Sequence, residues 1–429
     1  MTAVIMLFLL PGLGVGGPHR DPVPAAGSDT LHFAPLLAEA VRSNPSFQAA
    51  GHTRAGAEAR ASGAAWPGPP EFMWMREDMP GGMEGGKDVL DRYELNQMVM
   101  FPTKLFAERD AALAGAAAAR EGERESGATV VRDVRAAYAM LWSAQEEWRL
   151  NRENESTMKA FVDAAGARYS VGATSQNDLL KAQVELAMIR NENATLRRQE
   201  QESRAMLASL LGREAGSLQG RAWLPGGTPP LPSLDTLLVR ASARRPMLRA
   251  DSLMVEENRA MLSLARQGYL PDLAFGVQYQ NMRASDYDGW MLKAGVTVPI
   301  APWSFFKQNA EVERAEAGMR KAEAEYRASR TMLASSVRSM HARAEENLTR
   351  LQAFDAEILP RARESLDAGL RAYQTGGADF LMLLDSYRIL VGLRRERIMA
   401  RMEYEQALAN LEWAAGIAVP EPDQKEEGR

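Results

Sequence analysis

Apolar positions change their spacing along this chain in an order that occurs twice. From Leu31 to about Ala65 they recur every three to four residues, with Leu36, Leu37, Ala40 and Val41 on one face, which predicts a helix. Pro67, Pro69 and Pro70 stop it. From Glu71 the spacing drops to two. Phe72 and Trp74 alternate with Glu71, Met73, Met75 and Glu77. After a Gly-rich turn at Pro80 to Gly86, Tyr93, Leu95, Gln97, Val99 and Phe101 alternate with Arg92, Glu94, Asn96, Met98 and Met100. A hairpin of two strands is expected over about 71–101. Thr103 to Arg168 then runs without proline, and Val130, Val134, Ala137, Leu141, Ala144 and Trp148 step by threes and fours. So sustained a stripe predicts coiled-coil packing, and roughly 65 residues of helix extend about 100 Å. Gly172 supplies a left-handed stop, and a second helix follows from Asp178 to Leu211.

The same order returns in the second half. A helix is expected from Leu234 to about Gln267, stopped by Gly268 and Pro271. Strands over about 272–299 carry Leu273, Phe275, Val277 and Tyr279, then Trp290, Leu292, Ala294, Val296 and Val298, on one face. Asp272, Ala274, Gly276, Gln278, Met291, Lys293, Gly295 and Thr297 take the other. A long helix from Ser304 follows Leu333, Val337, Met340, Ala344, Leu351 and Ile358, interrupted only by Pro360. It stops at Gly376-Gly377, before a helix from Phe380 to Ala415. Short motifs repeat in step. Asn44-Pro45 returns as Arg245-Pro246, Pro70-Glu71-Phe72 as Pro271-Asp272-Leu273, and Tyr169-Ser170-Val171-Gly172 as Tyr373-Gln374-Thr375-Gly376. Units this long are a duplicated half-protein rather than a solenoid. The expected plan is a first repeat at 29–212, a Pro- and Gly-rich linker at 213–232, a second repeat at 233–416 and a charged tail at 417–429.

Composition narrows the function. The net charge of -5 and pI near 5.7 give no electrostatic footprint for nucleic acid. There is no cysteine, which removes disulfides, thiolate metal sites and cysteine nucleophiles. Four scattered histidines have no ligand spacing, and no nucleophile–base pair or phosphate loop stands out, so neither an enzyme nor a cofactor is expected. Val4 to Leu10 is continuously apolar and a Pro/Gly/Ala stretch follows, so residues 1–28 read as a secretory signal, with an unstructured N-terminus as the alternative. No later stretch holds the roughly 20 apolar residues of a membrane helix, so entry into a membrane would be by strands. Strands of about 10 residues with one apolar face suit an outer-membrane barrel. The same pattern suits a half-buried soluble hairpin. Four strands are too few to close a membrane barrel alone, so the membrane reading demands an oligomer.

In this order the motifs resemble the TolC family of bacterial outer-membrane efflux proteins over about residues 31–416. The resemblance rests on the duplication, Asn44-Pro45, the Pro-x-Phe/Leu before each first strand, Phe101-Pro102 and Val298-Pro299 after each second strand, and the Tyr-x-x-Gly turns. Gln97 to Pro102 and the Met-rich hairpin look most like the heavy-metal branch, copper/silver or cobalt/zinc/cadmium. The resemblance implies a mainly α, mixed α and β chain in a homotrimer. Its 12-stranded outer-membrane β-barrel would continue into a periplasmic α-helical coiled-coil barrel. It also implies a passive exit duct, served by an inner-membrane pump of the RND type through a periplasmic adaptor. Multidrug or organic-compound efflux, a type I secretion duct and a soluble periplasmic coiled-coil scaffold are the competing readings. Many relatives carry a lipid-modified N-terminal cysteine, which this sequence lacks, so membrane insertion is expected to rest on the barrel.

The same resemblance assigns roles to residues. Tyr169, Gly172, Gly376 and Gly377 would form turns that dock the adaptor. Asp178 and Tyr373 would share a hydrogen bond holding the entrance shut, and Asp385 would stand in a three-fold acidic ring. Ala378 occupies a place where relatives often carry arginine. From the residues themselves, Met73, Met75, Met98, Met100 and Met291 fall on the polar faces of their strands, with Met79 and Met83 towards the external turn. Thioethers suit Cu(I) or Ag(I) in weak, transient contact, and methionine equally fills packed space. Trp74, Tyr93, Phe101, Tyr279 and Trp290 sit near strand ends on the apolar face, where membrane-interface aromatics belong.

Overall fold

The structure is a computed structural model, and it describes residues 30–80, 87–172, 174–282, 287–375 and 377–417. The signal segment, the turn carrying Met83, Gly376 and nearly all of the tail lie outside the described residues. In chain order the elements are β1 (Thr30–Leu31), α1 (Phe33–Ser43), α2 (Pro45–Gly63), β2 (Glu71–Pro80), β3 (Lys87–Val99), α3 (Pro102–Ser170) and α4 (Gln176–Leu210). The second half follows with β4 (Arg221–Ala222), α5 (Leu234–Arg244), α6 (Pro246–Arg266), β5 (Asp272–Met282), β6 (Tyr287–Thr297), α7 (Pro302–Ala353), α8 (Leu359–Gln374) and α9 (Phe380–Ala414). A π-helical turn, Phe354–Ile358, joins α7 to α8.

The single helices expected at the start of each half are broken in two. The residue before a proline is driven out of the helical region by the ring, and Asn44 and Arg245 are extended, with ψ 122° and 117°. Each also caps. The Asn44 side chain accepts from the amides of Ser46 and Phe47 and donates to the Leu210 carbonyl at 2.9 Å. The Arg245 guanidinium donates to the Trp413 carbonyl and, at 2.6 Å, to Glu125. The expected linker also holds structure, since β4 pairs in parallel with β1.

The chain divides into two compact units. The sheet unit, residues 50–123 and 246–331, contains one antiparallel sheet in the order β2-β3-β5-β6, so the two hairpins join through β3 and β5. Below the strands, the buried Lys104 donates to Asp272 at 2.9 Å and to the Leu270 carbonyl at 2.8 Å, while Asp272 accepts the Phe101 amide. This latch joins the end of one hairpin to the start of the other. Ion pairs Arg54–Glu123, Arg120–Glu58 and Arg259–Glu323 tie the neighbouring helix segments.

The helical unit, residues 30–49, 124–245 and 332–417, packs the expected α3 stripe into its core. Val130, Val134, Ala137 and Leu141 meet Leu36, Ala40, Leu207 and Leu211. The second half repeats this with Val337 and Ala344 against Leu237, Ala241, Leu411 and Ala415. Gly212 and Gly416 end α4 and α9 at φ 68° and 65°; a Cβ on Gly212 would lie 2.6 Å from the Ser43 carbonyl, so glycine is required there. The long helices break the repeat. α3 has 69 residues, whereas its counterpart is built of pieces of 52, 5 and 16, four residues more. Four extra residues overshoot one helical turn. The π turn takes up the excess immediately before Pro360, whose missing N–H would in any case interrupt the helix.

Candidate channel wall and entrance

The sheet sorts its side chains by chemistry. Cross-strand register puts Trp74, Tyr93, Tyr279 and Trp290 in one row across all four strands. The rings interact, with centroids 6.3 Å apart for Tyr93–Tyr279 and 5.0 Å for Tyr279–Trp290. The next rows on this face hold Phe72, Leu95, Val277 and Leu292, then Gln97, Phe275 and Ala294, then Val99, Leu273 and Val296. Much of the face is open: Trp290 is 75% exposed and Leu292 83%. So large a run of exposed apolar side chains requires a cover. On the side of the aromatic row towards the hairpin turns the face turns polar, with Arg76 paired to Asp91 at 2.7 Å.

The opposite face carries Met73, Glu94, Gln278 and Met291 in one row. Lys293 and Asn96 donate to Glu94 at 2.7 and 2.9 Å, and Arg92 reaches the Met75 sulfur. Met73, Met75, Met98 and Met291 are exposed there. Two expectations change at the strand end. β3 stops at Val99, so Met100 and Phe101 lie in the connection to α3, where Asp272 holds the Phe101 amide. The exposed aromatics near this end are others: Trp66, Phe106, Trp303 and Phe306. Phe106, Trp303 and Phe306 follow the strands onto helix starts and Trp66 precedes β2, so the two-residue alternation did not reveal them.

The Gly turns stand at the other end of the long helices. Gly172 adopts φ 72° and its amide closes on the Tyr169 carbonyl, with Tyr169 itself exposed. The Gly377 amide closes on the Ala372 carbonyl. Ser175 and Asp178 form a reciprocal capping box at the start of α4, and Thr174 donates to Asp178 at 2.8 Å. Burial opposes the charged form of Asp178, but these bonds outweigh it and hold the carboxyl below the usual range. The hydrogen bond expected between Asp178 and Tyr373 is not formed: Asp178 serves its own helix cap, and the Tyr373 hydroxyl has no partner among the described residues. Tyr373 is held instead by Arg168, whose guanidinium lies 4.5 Å from the ring centre and donates to the Tyr373 carbonyl at 3.3 Å. Phe380 meets the same ring edge-on at 5.9 Å. Asp385 is exposed on α9. Beneath the turns Met158, Ala182, Leu186, Ile189, Phe380, Leu384 and Tyr387 form one core shared by both halves. Arg388–Glu185 and Arg395–Glu192, one heptad apart on both helices, bind α9 to α4.

A family model described as outer membrane efflux protein matches residues 93–213 and 237–417. The chain belongs to the outer membrane efflux protein family. Among curated relatives of this efflux family, the cobalt-zinc-cadmium resistance protein CzcC of Cupriavidus metallidurans is 26% identical over 299 residues, 68% of this chain and 70% of that one. The pyoverdine export outer membrane protein OpmQ of Pseudomonas putida is 23% identical over 329 residues, 73% of this chain and 67% of that one. Among solved structures, a Pseudomonas aeruginosa membrane protein matches with a TM-score of 0.78 at 20% identity, covering 94% of this chain and 99% of that one. CusC matches with a TM-score of 0.77 at 17% identity, covering 90% of this chain and 92% of that one. These likenesses show the TolC-like fold. The protein is an outer-membrane efflux channel, and the open apolar sheet face is the part suited to lipid.

Proposed function

We propose that three copies of this chain close their sheets edge to edge into a 12-stranded barrel, continued by a periplasmic helical tube, and act as the passive exit duct of a tripartite efflux system. The edge strands β2 and β6 support this reading, since each offers the next copy an unpaired ladder. Among the described residues no helix is long and apolar enough to cross a membrane, and the sheet presents an open apolar face. That open apolar face is the observation that carries the proposal. From the aromatic row at Trp290 to Val298 the strand rises about 27 Å. Tilted by about 40°, it spans roughly 20 Å of the roughly 25 Å apolar band of an outer membrane. Trp303 and Phe306, on the first turn of α7, supply about one more helical turn of about 5 Å. Trp74, Tyr93, Tyr279 and Trp290 then mark the outer interface, and Trp66, Phe106, Trp303 and Phe306 the inner one.

In this reading the Gly172 and Gly377 turns, with Tyr169, meet a periplasmic adaptor that links the duct to an inner-membrane pump of the RND type. Tyr373, held by Arg168 at the seam between the two turns, and the three-fold set of Asp385 close the entrance, while Asp178 caps α4. The cargo we assign is heavy-metal ions. The likeness to CzcC supports it, as do exposed thioethers on the polar sheet face at Met73, Met75, Met98 and Met291. The likeness to OpmQ, named for pyoverdine export, favours organic cargo as the second reading. A deletion strain tested against copper, silver, zinc, cobalt and cadmium salts and against organic drugs and dyes separates them. Selective metal sensitivity supports the first reading; sensitivity to organic compounds alone refutes it and leaves the duct standing.

A further inference from the structure

The π turn has a second consequence. Where the four extra residues are taken up, a cleft of about 330 Å³ opens between α3 and the α8–α9 pair of the helical unit. Its apolar side is Trp142 with the buried Leu150, Leu359 and Ile398. Its polar lining is dominated by one sign: Arg149, Arg363, Arg394 and Arg397 against Glu146 and Asp355. The neighbouring pairs do not balance it. Arg397 is engaged by Asp355 at 2.5 Å, Arg394 by Glu153 at 2.9 Å, and Glu146 is shared between Arg149 and Arg221. Five guanidiniums therefore face three carboxylates. Arg363 is exposed on the cleft wall and has no hydrogen-bond or ion-pair partner among the described residues.

The other half of the duplication provides an internal control. The counterparts of Leu359, Arg394 and Arg397 there are Glu155, Arg190 and Asn193. Glu155 accepts from Arg190 at 3.1 Å and from Asn193 at 3.2 Å, so the chain's own carboxylate already occupies the corresponding place. In the second half that carboxylate is replaced by an apolar side chain, Asn193 by a further arginine, and a cleft stands where the helix has been lengthened.

We propose that this cleft is a binding site for an organic carboxylate: an anionic group held by Arg363 together with the outward edges of Arg149, Arg394 and Arg397, and an apolar body laid on Trp142 and Leu359. Guanidinium forks suit carboxylate geometry, and the indole offers an apolar wall. Ligand and chain would thus meet where the long helices of the duplicated halves differ in length. A bound carboxylate would bridge α8 and α9 to α3.

The test uses the full chain purified in detergent and 4-fluorobenzoate as probe, with ¹⁹F line broadening as the readout and empty micelles as the baseline. The expected result is saturable broadening above that baseline. Arg363→Gln is expected to weaken binding several-fold and Arg363→Glu to abolish it. Arg314→Glu, the same charge change on exposed α7 of the sheet unit, leaves it unchanged. Equal binding by wild type and Arg363→Glu overturns the proposal. So does equal loss in Arg314→Glu, or the lack of saturable broadening up to about 20 mM probe, since weaker binding than that is worth under about 2.5 kcal/mol.

Discussion

Replacing Arg168 by alanine should loosen the entrance, whereas removing the Tyr373 hydroxyl should not. Arg168 contributes two interactions across the seam between the turns: its guanidinium over the Tyr373 ring at 4.5 Å, and a hydrogen bond to the Tyr373 carbonyl at 3.3 Å. A half-buried cation over a tyrosine ring contributes about 1 kcal/mol, and a long hydrogen bond from a charged donor about 1 kcal/mol more. A loss of about 2 kcal/mol per chain corresponds to about a 30-fold shift towards the open state. Tyr373→Phe deletes only a hydroxyl without a partner, so its effect should stay within about two-fold. The assay is the open probability of the purified channel in planar bilayers, with sensitivity of expressing cells to a large antibiotic as the cellular readout. A silent Arg168→Ala beside an opening Tyr373→Phe would refute this reasoning and restore the tyrosine hydroxyl as the lock.

Three further outcomes follow from the same geometry. Arg245→Ala removes a buried guanidinium that bonds Glu125 and stacks 3.7 Å from the Trp413 ring, a loss of about 4 kcal/mol; at about 2.1 cal/mol/K per residue over roughly 390 residues this lowers the melting temperature by about 5 °C, and a change under about 1 °C would count against the network. Glu147 sits half-buried beside Arg395, and desolvation raises its carboxyl above the usual range; the folded chain keeps that proton longer than the unfolded one, so stability declines as pH rises from the ordinary carboxylate range through the raised value. Glu147→Gln, which leaves Arg395 its bond to Glu192, should flatten that decline in melting curves between pH 4 and 7, and an unchanged slope would contradict it. Leu292→Lys puts a charge on the open apolar face and should cost about 2–4 kcal/mol of folding into vesicles; insertion as efficient as wild type would mean that this face does not meet lipid.

The parts of the fold legible in the sequence are those where a period and a chemical contrast coincide. Phe72 and Trp74 against Met73 and Met75 assign both faces of β2 without further help, and the row that reaches Trp290 confirms the same alternation on β6. The breaks at Asn44 and Arg245 were hidden because the helical period continues through them while proline sterics bend the backbone. The π turn did leave a trace. The repeated motifs stand 201 apart before the strands, at Pro45 and Pro246, and 204 apart at Tyr169 and Tyr373, so residues had been added between them. Trp303 and Phe306 escaped because the exposed apolar surface passes from a two-residue to a helical period there. Arg168 escaped for a different reason: its partner Tyr373 lies in the other half, and nothing local to Arg168 announces the pairing.

Single-channel recording of the purified protein in planar lipid bilayers bears most directly on the central claim. Three sheets closed into one barrel predict discrete, uniform conductance steps that appear with the trimer fraction and become larger or more frequent when Arg168 is replaced by alanine. A folded protein that gives no steps, or that leaves the membrane in carbonate without detergent, would contradict a membrane-spanning duct and return the hairpins to a soluble scaffold.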